Sequence, residues 1–206
     1  TGNSLGQPVL QQTRIRAVWS AHGVTIAARM AEKDVSVLKR DILAHSRDAS
    51  LIWWNDNIEV FVDATGRREA YCQFIVNPNG ALFDGLGREG IDWDADGVVV
   101  ATHTADDHWS VELHIPYASL PEHVPPGTGV EWFGNATRHR VTDGSAREYT
   151  ALNVTSAGAP SHNQNAFVAL RFVERWDATR ARTADPFEVP VGHGGETSCS
   201  EQEWPR

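Results

Sequence analysis

Apolar and polar positions alternate with a period of two through most of the chain. In WWNDNIEVFVD (residues 53–63), Ile58, Val60 and Val62 share one parity, and Glu59, Phe61 and Asp63 share the other. Successive side chains of an extended backbone point to opposite faces, so this segment predicts a half-buried strand with its acidic residues on the less apolar face. A short turn over residues 64–68 leads to a second such segment, AYCQFIVNPNG (residues 70–80). It closes on Asn-Pro-Asn-Gly, where Pro fixes φ and Gly accepts a positive one. The pattern recurs as strands over residues 9–20 and 24–32 about His22-Gly23, over 98–104 and 108–115 about Ala105-Asp106-Asp107, over 130–141 and 148–154 about Asp143-Gly144, and finally over 165–174. Residues 32–52 read as a polar, irregular loop with one helical turn around 35–44, and residues 81–97 as a Gly/Asp-rich loop. A helical turn over 116–123 is broken by Pro125-Pro126-Gly127. About nine strands at hairpin spacing, with no long helical period, predict an all-β fold: an antiparallel β-sandwich of the two-sheet, jelly-roll or immunoglobulin-like kind. Residues 1–175 carry that domain, and the polar, Gly-rich residues 176–206 read as a C-terminal tail packed on it or trailing from it.

The length of 206 residues suits one such domain and allows a sizeable core. A composition 41% apolar and 22% charged is that of an ordinary globular protein, not a disordered one. The net charge of −9, with no basic stripe, argues against nucleic acid and anionic membrane as partners and suits a neutral ligand or a bound cation. No apolar run approaches the ~20 residues that span a bilayer. The chain opens on Thr, as a processed or excised piece of a larger protein would. Cys72, in a predicted strand, and Cys199, in the tail, are the two cysteines. They allow a disulfide pinning the tail in an oxidising compartment, or one buried thiol and one loose one.

Candidate chemistry gathers at the start of the first central strand. Two adjacent tryptophans beside amides and carboxylates suit a ligand that is polar but has flat apolar faces, as a sugar has. Trp53 or Trp54 would be the platform, with Asn55, Asp56 and Glu59 beside it, and Gln73 and Arg138 as hydrogen-bonding partners on other strands. The alternative is that one Trp plugs the core while Asn55 and Asp56 cap the loop. Asp92, Asp94 and Asp96 form the D-x-D-x-D-G opening of a calcium loop, with Asp84 as a further ligand. Position twelve is His103 instead of Glu, so this is no EF-hand, and a solvated turn is the other reading. His103 and His114 could face each other across their hairpin and hold a transition metal, or be ordinary surface histidines. No H-E-x-x-H, G-x-S-x-G or P-loop occurs. Asp56, Glu59 and Glu112 are the carboxylates from which a glycoside-hydrolysing pair could be drawn.

Taken in order, WNDNIEVFVD, YCQFIVNPNG, HWSVELHIPYASL, WFGNATRHR and AFVALRF resemble the family 9 carbohydrate-binding modules and their broader relatives over residues 9–174. The resemblance implies a β-sandwich that binds the ends of β-linked glycans between tryptophans, often with structural calcium. Trp53 and Glu59 are the positions that carry over best. Where many relatives place a second Trp, this chain reads EYTALNV with Leu152, so either Tyr149 forms the second wall or the clamp is absent and the platform is one-sided. The expectation is non-catalytic binding of a β-linked, plant-type glycan or its chain ends by a secreted or periplasmic module, part of a larger multidomain protein of polysaccharide degradation. A glycan-active hydrolase or lyase on the same sandwich is the second reading. A haem-binding sandwich is the third; Met30, the single Met, alternates with core positions instead of standing as an axial ligand.

Overall fold

The computed structural model describes residues 9–44, 46–48, 51–88, 90–142, 146–153, 161–174 and 188–193. They form eleven strands: β1 (Thr13–Trp19), β2 (Gly23–Ala31), β3 (Asn57–Asp63), β4 (Cys72–Val76), β5 (Leu82–Leu86), β6 (Val99–Thr104), β7 (His108–Pro116), β8 (Glu131–Thr142), β9 (Ala146–Ala151), β10 (Val168–Val173) and β11 (Glu188–His193). The only helical elements among the described residues are short 3-10 turns, such as Ile52–Trp54 and Tyr117–Ser119. The strand order is β5-β4-β3-β8-β10-β11-β1-β2-β7-β6, with β9 added beside β8. Two antiparallel halves, β5-β4-β3-β8-β10 and β1-β2-β7-β6, are joined through β11, which runs parallel to both β10 and β1. The halves face each other over one core. Ile26, Ala28 and Met30 of β2 and Trp109, Val111 and Leu113 of β7 meet Ile58, Val60 and Val62 of β3, Phe74 of β4 and Trp132 of β8. The period-two pattern therefore does place a two-layer sandwich.

Three local expectations change. The loop expected over residues 81–97 contributes β5, because Leu82 and Phe83 pair with Val76 and Ile75 and carry the strand through Gly85. Gly85 hides the alternation: its place is tight, since a Cβ there would stand 3.3 Å from the Phe83 ring. The tail also supplies a strand: residues 188–193 form β11, whose Pro190 breaks the donor pattern that a strand reading relies on. The helical turn expected around 35–44 is only Val35–Val37, capped by the Asp34 carboxylate accepting from the Ser36 amide. Cys72 is a free, buried thiol, pushed up to about 12 mainly by burial. Cys199 lies outside the described residues.

At one end of the sandwich the two layers are tied by charge. Glu32, at the end of β2, is only 2% exposed. Its carboxylate accepts from Arg140 Nε and Nη2 at 2.5 and 2.7 Å and from Arg138 Nη2 at 3.3 Å. Arg138 also donates to the Ala31 carbonyl oxygen at 2.9 Å. Burial alone pushes the Glu32 carboxyl up, but the Arg140 guanidinium overrides it and holds the group below the ordinary range. Burial, the largest influence on Arg138, draws that guanidinium down to about 10. Glu32→Gln leaves two buried guanidiniums without their shared anion, and the loss of one partner of a buried pair costs about 3–5 kcal/mol. Removing the exposed Arg67–Glu122 pair by Glu122→Gln should shift the midpoint far less, because water already screens both charges. Denaturant titration of both variants tests the contrast; equal midpoints would mean that the buried network does not tie the layers.

Candidate functional site

Because Ile58, Val60 and Val62 fill the core, Asn57, Glu59 and Phe61 face outward. Register then builds a row across the outer face: Phe83 of β5, Ile75 of β4, Glu59 of β3, Thr137 of β8 and Ala151 of β9. Neighbouring strands lie about 4.8 Å apart, so the row is roughly 20 Å long with Glu59 at its middle. Beside it runs Asn57, His139 and Tyr149. Two aromatic groups flank Glu59. On one side the Trp53 ring meets the Phe83 ring edge-on at 5.5 Å, and Tyr149 stacks on His139 at 4.3 Å with an interplanar angle of 4°. His139 Nδ1–H donates to the Trp53 carbonyl oxygen at 2.8 Å and ties this group together. On the other side Phe61, Tyr71 and Phe167 pack with His162, whose Nδ1 lies 2.7 Å from the Tyr71 hydroxyl.

Trp53 and Tyr149 of the first group are 39% and 42% exposed, ring surface left to water beside one polar centre, and Trp54, next along the 3-10 turn, is 46% exposed. That centre is Glu59, half-buried, with Gln73 Nε2 donating to its Oε2 at 3.1 Å. Burial pushes the Glu59 carboxyl up to about 7, against the pull of the Gln73 amide. The tryptophans are turned outward by the segment before β3. Ile52, fully buried with Ile75, Ala81 and Phe83, anchors the 3-10 turn and leaves its two successors on the surface.

The other expected ligand residues have different places. Asn55 Oδ1 accepts from the Ile42 amide at 3.1 Å and from Asn77 Nδ2 at 3.0 Å. Asp56 accepts from the amides of Lys39 at 2.8 Å and Val141 at 3.2 Å. Both side chains are buried and point into the loop they hold, which corrects their reading as ligand contacts. Burial pushes Asp56 up to about 6. Arg138 pairs in register with Ile58, so it points to the inner side and serves Glu32 instead of the outer face. Glu112 is exposed on the outer side of β7, in the opposite layer. The layers alone are about 10 Å apart, so Glu59 and Glu112 on opposite outer surfaces cannot bracket one glycosidic bond. With Asp56 also buried in its loop, no hydrolytic pair is assembled from the three. Sequence reasoning missed Phe83, Ile75, Thr137, His139, Tyr71 and His162, since membership of the face follows from register, which a single chain does not announce.

The metal candidates also rearrange. Asp84 and Asp94 come together with Asp48, their nearest carboxylate oxygens all within 4.8 Å, whereas Asp92 and Asp96 are exposed and outside the group. Asp84 is fully buried and accepts from the Ala95 amide at 2.6 Å, and its Oδ1 has no partner among the described residues. Arg47 already supplies positive charge, with Nη2 2.6 Å from Asp84 and Nε 2.9 Å from Asp94. The orphaned Asp84 oxygen and three converging carboxylates fit a hard cation; Arg47 competes with it for the same oxygens. His114 stands opposite Val99 and His103 opposite Ser110, about 13 Å apart along the hairpin, so these two histidines do not face each other. His114 instead meets the Thr25 hydroxyl at 3.0 Å. Met30 is buried in the core. The apolar cavity beside Trp132 and Phe172 is about 40 Å³, and neither His nor Met lines it, so the haem reading finds no room or axial ligand there.

No protein-family model matches the chain, and no curated protein matches it. Solved structures do. A family 9 carbohydrate-binding module from Caldicellulosiruptor kristjanssonii in complex with glucose superposes with a TM-score of 0.61 at 15% identity, covering 82% of this chain and 81% of that one. Its complex with cellotriose gives 0.60 at 15%, covering 82% and 79%. A candidate carbohydrate-binding protein from Bacteroides uniformis gives 0.62 at 17%, covering 81% and 80%. The chain thus has the β-sandwich fold of the family 9 carbohydrate-binding modules.

Three raised carboxyls set a direction for stability against pH. Asp56 and Asp84 have folded-state pKa values of about 6 and Glu59 of about 7, above the ordinary range near 4, so the native state binds more protons across that interval. Unfolding free energy should therefore fall as pH rises from about 4 to 7 and level off above, and Glu59→Gln should flatten the upper part. Denaturant midpoints at pH 5.5 and 8 give the measurement; a higher midpoint at pH 8 would overturn it.

Proposed function

We propose that this chain binds a carbohydrate without cleaving it, on the outer face centred on Glu59. The observation that carries this reading is the pairing of exposed aromatic rings, Trp53 and Tyr149, with one half-buried carboxylate and its Gln73 partner. A pyranose offers an apolar C–H face to a ring and hydroxyl donors to a carboxylate, and a charge-assisted hydrogen bond supplies direction as well as energy. The fold supports the reading, since a protein of that fold is known in complex with glucose and with cellotriose. A β-linked plant-type glycan or its chain end is the finer proposal: Trp53 would stack on one face of the terminal sugar, and Tyr149, braced by His139, would take the place that Leu152 leaves without an aromatic. A secreted or periplasmic module within a larger polysaccharide-degrading protein follows from the same reading.

Titration of cello-oligosaccharides, xylo-oligosaccharides and β-glucan by calorimetry tests it, with product analysis alongside. Trp53→Ala should weaken binding by about 1–3 kcal/mol, the size of stacking lost from one flat ring, while the domain stays folded. A folded protein that binds none of these glycans at millimolar concentration would sink the proposal, and released sugar would replace it with a catalytic one.

Calcium belongs to the proposal as a structural ion held by Asp48, Asp84 and Asp94. Bound there, it would neutralise three crowded carboxylates and order the loop that leads into β6. A ligand that binds only the native state raises the melting temperature, so calcium should raise it and chelator lower it. An unchanged melting curve in chelator, with no calcium found by elemental analysis, removes the ion and leaves Arg47 as the sole counter-charge.

A further inference from the structure

The charge at the centre of the face has no counterpart. Glu59 is half-buried, its one hydrogen bond comes from a neutral amide, and no cation acts on it among the described residues. The nearby arginines are engaged elsewhere. Arg138 and Arg140 point to the inner side and share Glu32. Arg68 lies over the Phe133 ring at 3.7 Å and donates to the carbonyls of Gln164 and Phe167. Arg88 is felt by Tyr71 and His162 but not by Glu59. The row through Glu59 is otherwise Phe83, Ile75, Thr137 and Ala151, without a basic side chain.

We infer that this face sorts sugars by charge: it favours a sugar bearing an ammonium group over its neutral counterpart, and disfavours one bearing a carboxylate or sulfate. This rests on the glycan-binding reading above and narrows its ligand class. A partly desolvated carboxylate gains most from a donor that carries positive charge, because the hydrogen bond and the Coulomb attraction then act together. A hydroxyl supplies the hydrogen bond alone. An anionic sugar brings a like charge to within a few ångströms of Glu59 in a setting of reduced dielectric, where repulsion is strong. The carboxyl would then have to take up a proton to admit it. With burial already pushing Glu59 up to about 7, an ammonium guest draws the carboxyl back to the ionised form, whereas a neutral guest leaves both forms populated at neutral pH. The overall charge of −9 acts in the same sense at longer range.

Three sugars with the same ring test the inference: glucosamine, glucose and glucuronate, titrated at pH 6.5 and low salt with affinities read by ligand-observed NMR. Glucosamine should bind roughly three- to tenfold more tightly than glucose, and glucuronate at least as much more weakly, the range expected for one half-exposed charge pair. Glu59→Gln should collapse the gap between glucosamine and glucuronate. Ala151→Lys places an ammonium on the same face, two strands from Glu59, and should lower the preference for glucosamine and raise the affinity for glucuronate, without touching the carboxylate. Equal affinities for the three sugars, or tightest binding of glucuronate, overturn the charge sorting while glycan binding stands. Binding of none of them, nor of any neutral oligosaccharide, removes the glycan reading and this inference with it.

Discussion

The alternation of β3 is the constraint on which the rest of the molecule depends. One parity of this strand is Ile58, Val60 and Val62, which close the core against the opposite layer; the other is Asn57, Glu59 and Phe61, which make the outer face. A slip of one residue would carry Glu59 into the core and three branched apolar side chains into water. Register is therefore a joint property of stability and of the site, and whatever fixes it fixes both. Here it is set from two sides. β8 pairs along the whole strand from Asn57 to Asp63, and β4 pairs from Ile58 to Val62. The turn after β3 locks the far end, where Asp63 Oδ1 accepts from the amides of Thr65 and Gly66 and Oδ2 from that of Arg68.

The near end is locked by two residues whose type suits a ligand, Asn55 and Asp56, together with Asn57 and Asn77. Asn55, Asp56, Asn57 and Asn77 are all almost fully buried and satisfy backbone groups of the loop over residues 39–42 and of the 3-10 turn. A cluster of short polar side chains next to exposed tryptophans has two uses, recognition or bracing, and composition is the same in both. What separates them is direction. Asn and Asp readily bond to backbone two or three residues away, and a loop that must leave a sheet and return needs such bonds. The bracing fixes the direction of the 3-10 turn: with Ile52 pinned and Asn55 held from two sides, Trp53 meets Phe83 by its edge and, like Trp54, keeps part of its ring exposed.

The sheet architecture was legible because its signal is local. Period two with turn residues between runs marks β1 to β4 and β6 to β10, and on β3 the core parity as well. β5 and β11 were not legible, since Gly85 and Pro190 interrupt the alternation that defines a strand. Of the candidate face, the sequence points to Glu59 and Gln73 and to the exposed rings of Trp53, Trp54 and Tyr149, by chemistry or by likeness to a family pattern. Arg138 illustrates the limit. Its type suits sugar recognition, but its parity relative to Ile58 puts it inside, and parity on β8 is hard to read where Arg138, His139 and Arg140 follow one another. Asp48 illustrates another: it joins Asp84 and Asp94 from a loop 36 residues away from Asp84, and no spacing rule reaches across that interval.

The two sides of the sheet that contains β3 and β8 solve the same electrostatic problem in opposite ways. On the inner side, Glu32 is given two guanidiniums and kept ionised, at the cost of burying both arginines. On the outer face, Glu59 is given an amide and left with a raised pKa. A protein under pressure for stability alone would treat the second carboxylate like the first, or replace it with an apolar residue such as its neighbour Ile75, because an unpaired, partly buried charge is a net cost. On the proposed glycan-binding reading, the partner that Glu59 lacks within the chain comes from outside. The feature that makes Glu59 costly to the folded chain would then make it selective toward a guest, since a donor that reaches it between the two aromatic groups would relieve it.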